Sequence, residues 1–527
     1  MKYSTPQTRK ATAVFCAAFA AALCAMLAGC NVGPKYVPPA TTAPPAYKEA
    51  PAPAAASEAS DQEKGEWTVA QPQDAALRGK WWEIYNEPDL NALEDQLNID
   101  NQNIRQAFEN FMEARALVRE ARSQYFPTIS VGPSYSRSQS SSNLGGAQGS
   151  SGGAAAGGGA TTSSKQSQVF SLPGEVSWVP DLWDKVRNTV RSAQYTAQVS
   201  AADLANERLT EQASLAEFFF EIRGQDALQK ILDAAVENDK QSLAAEQGRY
   251  DTGVDDQISL VQAQTTLAAA ESAASNNHIA RAQFEHAIAT LIGKQASEFS
   301  IPVVAKTTAP PPIPVGLPSQ LLERRPDVAA AERAMASANA QIGVAYAAYY
   351  PSLSISGSGG FESSAIGKLL DASSRFWSVG PTLSETIYDG GLRRATVNQY
   401  IATYNADLAA YRQSVLTAFQ QVEDYLADVR ILSEQIERQK EAVRHSETYL
   451  KLEQARYDTG IDPYIDLAVA QDTLYGNEQG LAQLQIQQMT ASVQLIEALG
   501  GGWDKSQLPT PAQITARPSH AETTIQH

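Results

Sequence analysis

The sequence predicts a mixed fold of very long α-helices and transmembrane β-strands, built twice along one chain. Three observations lead there. Short motifs recur colinearly in the two halves. Two stretches of about 60–65 residues run without proline, long enough for helices of roughly 90–100 Å. Four segments of about ten residues alternate apolar with small polar side chains, the pattern of barrel strands. Beyond the N-terminus no run of ~20 apolar residues could span a membrane as a helix, so a closed β-barrel is the remaining way across.

The N-terminus reads as a targeting segment. Lys2, Arg9 and Lys10 precede an apolar stretch from Ala11 to Leu27, which ends in Leu27-Ala28-Gly29-Cys30. That ending resembles the lipobox of bacterial lipoproteins, so residues 1–29 are expected to be removed and Cys30 acylated. An ordinary signal peptide followed by a coincidental cysteine is the alternative. Asn31, where Asp would resemble an inner-membrane retention signal, favours the outer membrane. Cys16 and Cys24 lie within the segment to be removed, leaving no disulfide and no cysteine-based metal site. Acyl chains bury about 0.8 kcal/mol per CH2, so Cys30 would be a firm anchor in outer-membrane lipid.

The Pro- and Ala-rich residues 30–66 read as an extended linker. The first repeat is expected over 67–308, a Pro-rich linker over 309–318, and the second repeat over 319–502. Residues 503–527, with Pro509, Pro511 and Pro518, read as a flexible, frayed tail.

The duplication rests on aligned motifs. Arg249-Tyr250-Asp251-Thr252-Gly253 returns 207 residues later (249 to 456) as Arg456-Tyr457-Asp458-Thr459-Gly460. The same offset pairs Ile222-Arg223 with Val429-Arg430 and Leu291-Ile292-Gly293 with Ala498-Leu499-Gly500. Upstream, Tyr125-Phe126-Pro127-Thr128-Ile129-Ser130 matches Tyr349-Tyr350-Pro351-Ser352-Leu353-Ser354 at an offset of 224 (125 to 349). Leu182 to Arg187 faces Ile387 to Arg393 between them.

Each half reads as helix, strand pair, then two long helices. The first helices are expected over 89–124 and 319–347, with Pro326 near the start of the second, where a missing N–H does no harm. Apolar residues such as Leu204, Leu215, Phe218 and Ile222, then Leu408, Val415, Phe419 and Val422, are spaced for helix pairing. An ordinary helical bundle would show the same spacing. The strands are expected over Thr128–Ser136, Phe170–Trp178, Ser352–Phe361 and Phe376–Tyr388. Tyr125, Phe126, Trp178, Trp183, Tyr349, Tyr350, Trp377 and Tyr388 bracket them as an interfacial girdle would. A soluble sheet with one wet face would alternate similarly. Residues 139–166, nearly all Ser, Gly, Ala, Thr and Gln, read as a surface loop. Four strands cannot close a barrel, so the chain must oligomerise.

A net charge of −17 and pI near 4.9 argue against nucleic acid as a partner. His278, His286 and His445 lack carboxylate or cysteine partners at ligand spacing, and His520 and His527 fall in the tail. No phosphate loop and no nucleophile–base set is present. The sequence therefore predicts no catalytic residue, no metal and no cofactor.

Several motifs carry a family resemblance. Cys30-Asn31-Val32-Gly33-Pro34-Lys35-Tyr36, Trp81-Trp82 with Pro88 and Leu90, Leu321-Leu322-Glu323-Arg324-Arg325-Pro326-Asp327-Val328 and the paired Tyr-Asp-Thr-Gly motifs resemble the TolC family. Within it they are similar to the OprM/NodT-type lipoprotein branch, the outer-membrane factors of resistance-nodulation-division (RND) efflux systems. The resemblance spans about residues 28–500. It implies a homotrimer with a twelve-stranded outer-membrane barrel, four strands per chain, continued by a long periplasmic α-helical barrel. It implies an exit channel for small molecules or drugs, not an enzyme, working with a periplasmic adaptor (membrane fusion protein) and an inner-membrane RND-type transporter. The outer component of type I protein secretion, or a non-transporting coiled-coil lipoprotein, are the alternatives.

The same resemblance places Tyr250, Gly253, Val254, Tyr457, Gly460 and Ile461 at helix–turn–helix tips facing the adaptor. Gly253 and Gly460 suit the position just after a long helix. Threefold symmetry would turn Asp462 and Asp466, with Asp255 and Asp256, into acidic rings, the candidate gate. Relatives often carry a basic residue just after the second glycine, linking neighbouring helices; here the region offers Asp462 instead. Asp255 and Asp462 also suit helix N-capping. The tips differ, since Asp256 faces Pro463 and Ser259 faces Asp466 in the repeat, and the second is the better gate candidate.

Overall fold

A computed structural model describes residues 32–39, 43–49, 79–139, 166–315 and 318–516. The signal segment, Cys30 and residues 140–165 of the Gly/Ser-rich loop lie outside the described residues. In chain order the helices are α1 Pro88–Asp100, α2 Gln102–Ser123, α3 Lys185–Asp251, α4 Gln257–Leu291, α5 Pro318–Arg324, α6 Pro326–Ala347, α7 Leu392–Asp458, α8 Tyr464–Ala498 and α9 Pro511–Thr515. The duplication is metrical: α3 and α7 each have 67 residues, and α4 and α8 each have 35. At 1.5 Å per residue the longer pair extends about 100 Å. The chain divides into two units. One holds 1–36, 116–193 and 337–404, the other 37–115, 194–336 and 405–527.

The first unit is an antiparallel sheet of β1 Thr128–Val131, β2 Ser134–Gln139, β3 Gln166–Trp178, β4 Ser352–Ser363 and β5 Arg375–Ser384. Both β1 and β2 pair with β3, and β4 and β5 follow in order. The single strand expected over Thr128–Ser136 is therefore interrupted at Gly132-Pro133. Proline has no N–H for the ladder, and the Gly132 amide instead donates to the Pro173 carbonyl at 3.2 Å. The strand expected to reach Tyr388 ends at Ser384, and Gly390 and Gly391, at φ +65° and +91°, turn the chain into α7.

Register explains the alternation. Ile129 pairs with Val176, Tyr135 with Phe170, Leu172 with Phe361, Trp178 with Ile355, and Leu353 with Leu383. Directly opposed residues share a face, so these side chains form one apolar surface. Ser130, Glu175, Ser358 and Ser378 form a row on the other face. The apolar face is bare: Trp377 is 81% exposed and Val379 70%. A patch of this kind on one whole sheet face needs a cover of hydrocarbon rather than water. Trp178 donates its indole N–H to the Tyr125 carbonyl at 3.0 Å, and Trp183 donates to Pro351 at 2.8 Å while stacking on Tyr350. The lipobox-proximal linker is tied to this unit. Gly33 packs so closely on Gly343 that a Cβ would sit 2.6 Å from its Cα, and Asn339 donates to the Pro34 carbonyl at 3.1 Å.

The second unit holds one apolar core, including Trp81, Trp82, Leu90, Leu97, Phe219, Ile222, Ile292, Leu321 and Ile496. Tyr47 from the linker is buried in it, and the Glu423 carboxylate accepts the Lys48 and Glu49 amides at 2.8 and 2.9 Å. This part of the linker has no regular secondary structure but is bound.

Each expected first helix is broken once, and the breaks form one repeated junction. Asn101 is extended (φ −65°, ψ 124°), and its side-chain Nδ2 donates to the Leu291 carbonyl at 2.9 Å. Arg325 precedes Pro326, a position biased against helix, and donates to the Ala498 carbonyl at 3.0 Å. Leu291 and Ala498 are repeat partners, as are Asn101 and Arg325. Each side chain thus caps the last carbonyls of the returning helix.

The stretch read as a frayed tail is ordered over 503–516. Thr510 and Gln513 form a capping box at α9, Ile514 is buried, and Arg115 donates to the carbonyls of Ile514 and Ala516 at 3.3 and 3.0 Å. Prolines that break a helix also start one, here with Pro511 in the first turn.

Burial, with the nearby Glu497 charge, pushes the Glu217 carboxyl up to about 7 from 4.5. Between those values the folded chain holds a proton that the unfolded chain has released, so this group's stabilisation is lost as pH rises. We expect Glu217→Gln to raise stability at pH 8 by about 1–2 kcal/mol after discounting for partial exposure, and to change little at pH 4.5. Melting curves at the two pH values check this.

Candidate functional site at the hairpin tips

Both hairpins turn in the same way. Gly253 and Gly460 adopt φ +73° and +71°, a left-handed conformation that glycine takes without strain. The Val254 amide reaches back to the Arg249 carbonyl and the Ile461 amide to Arg456, both at 2.9 Å, while the glycine amides donate to Tyr250 and Tyr457. This closes the C-termini of α3 and α7 in Schellman fashion.

The aspartates divide their duties differently from the expectation. Asp256, not Asp255, caps α4, accepting the Ile258 and Ser259 amides at 3.0 and 3.1 Å. Pro463 stands at the equivalent position of α8 and offers no side-chain cap. Asp255 instead accepts from Arg249 Nε at 3.0 Å, and Asp462 accepts from Arg456 through Nε and through Nη2 at 2.8 Å. Each repeat supplies a basic partner six residues ahead of its aspartate. In each turn the arginine precedes the glycine and its aspartate follows it, so the ion pair spans the turn within one hairpin. Asp466 is exposed in the first turn of α8, where the unpaired amides and the dipole favour its negative charge.

Two glutamates, which the sequence did not single out, complete the tips. Glu246 accepts the Tyr457 hydroxyl. Desolvation, then the facing Asp255 charge, hold its carboxyl above the ordinary range. Its repeat partner Glu453 is raised by desolvation and by Asp462, whereas the Arg456 hydrogen bond holds Asp462 low. Arg249 lies 5.0 Å above the Tyr457 ring, and Tyr464 meets that ring edge-on at 6.3 Å. Tyr464, Leu467, Ala468 and Ala263 make a small apolar cluster with Tyr457. The extended repeat, Glu-Gln-x-Arg-Tyr-Asp-Thr-Gly at 246 and 453, carried the signal for both glutamates. Tyr250, Val254 and Ile461 are exposed, while Tyr457 is buried.

A sheet with one bare apolar face and two unpaired edges, in a chain of paired 100 Å helices with charged tips, defines an outer-membrane duct protein with a periplasmic extension. The chain belongs to the outer membrane efflux protein family, whose profile matches residues 93–294 and 317–501, one segment in each repeat. It is 30% identical over 493 residues to the solvent efflux pump outer membrane protein SrpC of Pseudomonas putida, covering 92% of this chain and 97% of that one. It is 29% identical over 454 residues to the outer membrane protein OprJ of Pseudomonas aeruginosa, covering 83% and 89%. The solved outer-membrane channel OprN aligns with a TM-score of 0.77 and 27% identity over 90% of this chain and all of that one. Campylobacter jejuni CmeC shares the fold at 19% identity, with a TM-score of 0.78 over 94% and 98% of the two chains. The protein is an outer-membrane exit channel of an efflux pump. Its relatives are channels of such pumps, not enzymes.

Proposed function

We propose that three copies close into one channel, anchored through acylated Cys30, that carries small apolar compounds outward from a periplasmic adaptor and an inner-membrane RND-type transporter. The observation that carries the reading is the sheet. Among the described residues β1, β2 and β5 leave its two outer edges unpaired, beside an apolar face on which Ile129, Trp377, Val379 and Leu383 are exposed. Unpaired backbone groups are too costly to leave in lipid, and edge pairing between three copies would give a twelve-stranded closed barrel. The Ser- and Glu-bearing face would then line a wet lumen. The tips would supply the docking end, with Tyr250, Val254 and Ile461 offered to the adaptor. Asp462 and Asp466 would form carboxylate rings at the constriction, favouring cations. Relatives named as solvent, toluene and antibiotic efflux proteins support small organic molecules as cargo. Native mass measurement of the detergent-purified protein tests the assembly, with the adaptor then added. A trimer that retains the adaptor supports the reading, and a stable monomer or dimer overturns it.

A further inference from the structure

We propose that the apolar face of the sheet holds one zwitterionic phospholipid per chain, its headgroup in a cavity at the strand ends and an acyl chain in the groove along β4. The proposal rests on the barrel reading above, which sets this face against hydrocarbon.

The headgroup cavity has a volume of about 230 Å³ and lies where the sheet meets the helices, lined among others by Trp183, Lys185, Tyr350, Leu353 and Glu385. Trp183 stacks on Tyr350 at 4.8 Å and is pinned by its indole bond to the Pro351 carbonyl, so one wall is aromatic. Amphipathic rings of this kind sit at the level of lipid headgroups. Lys185 and Glu385 are exposed, and among the described residues neither side chain has a hydrogen bond or an ion pair. Asp181 adds a second carboxylate, which accepts the Val186 and Arg187 amides at the start of α3. The lining therefore offers one cation and two anions. A phosphate suits Lys185, and an ammonium suits Glu385 and the aromatic wall. A headgroup of negative charge alone would meet a net negative lining, which favours the zwitterion.

The groove continues from the cavity, since Leu353 of the one and Ile355 of the other stand two residues apart on the same face of β4. It has a volume of about 450 Å³ and is walled by Val176, Trp178, Ile355 and Val379. Gly357, paired with Val176 on one side and Val379 on the other, and Gly359 form its floor. The absence of side chains at these two positions leaves a trough between apolar walls, the shape and chemistry of an acyl chain. β4 lies inside the sheet, away from the edges that neighbouring copies would pair, so the site is complete within one chain.

The test is native mass spectrometry of the delipidated full protein after incubation with equal amounts of palmitoyl-oleoyl phosphatidylethanolamine and phosphatidylglycerol. The trimer should retain one lipid per chain and favour the ethanolamine lipid several-fold. Gly359→Leu fills the groove, and the backbone accepts it, because a Cβ there meets its nearest neighbour at 3.6 Å. That variant should lose both lipids while remaining a trimer. Glu385→Lys turns the lining net positive and should reverse the preference toward the glycerol lipid. Trimers that retain neither lipid, or retain both equally in every variant, overturn the proposal and leave the assembly reading standing. A preference that Glu385→Lys does not change also contradicts it. A stable monomer or dimer overturns the barrel reading, and the proposal with it.

Discussion

Alanine at position 500 should leave little folded channel. Gly500 holds φ +93°, and a Cβ there would lie 2.1 Å from the Arg324 carbonyl oxygen and 2.7 Å from its carbon. The obstacle is backbone, which no side-chain rotation relieves. The left-handed conformation alone costs about 1–2 kcal/mol for a residue with a Cβ. Displacing Arg324 also strains the adjacent bond from Arg325 to Ala498. Together these place Gly500→Ala at about 4 kcal/mol or more, among the exceptional single substitutions. Gly293, its repeat partner, meets the Asp100 carbonyl at 2.6 Å with φ +70° and should behave alike, less severely. Gly248→Ala is the contrast. It lies inside α3 with nothing near a built Cβ, and the second repeat carries Ala455 in its place. It should gain about 0.5–1 kcal/mol. Yield of folded protein and melting temperature separate the three.

The second large effect belongs to the sheet. Val379 sits mid-strand in β5 on the bare apolar face, opposite Gly357. Arginine there would face hydrocarbon, and such a change costs about 2–4 kcal/mol near the bilayer midplane. Val379→Arg should block insertion into the outer membrane. Ser378→Arg, one residue away on the opposite face, should insert normally and alter ion selectivity. Heat-modifiable mobility of outer-membrane fractions reads the first effect, and reversal potentials read the second. Equal behaviour of the two variants would mean that the faces are wrongly assigned.

Periodicity and repetition made most of this legible in advance. The motifs at 249 and 456 located both turns, and the proline-free stretches foretold α3 and α7. What escaped depends on partners distant in sequence. Asn101 and Arg325 look like ordinary helix residues until their bonds to Leu291 and Ala498, 190 and 173 residues away, are seen. Glu246 reads as a surface residue because Tyr457 lies 211 residues further on. Choosing between Asp255 and Asp256 as the cap required the backbone, since both precede α4 and only Asp256 stands at the extended residue. The order of 503–516 depended on Arg115, far upstream.

Single-channel recording of the purified protein in planar lipid bilayers tests the central claim most directly. The account predicts discrete, cation-preferring conductance steps that grow when Asp462 and Asp466 are replaced by Ala and the tips are loosened. Protein shown to be trimeric and inserted, yet silent at every voltage and pH with the tip variants as well, would contradict it.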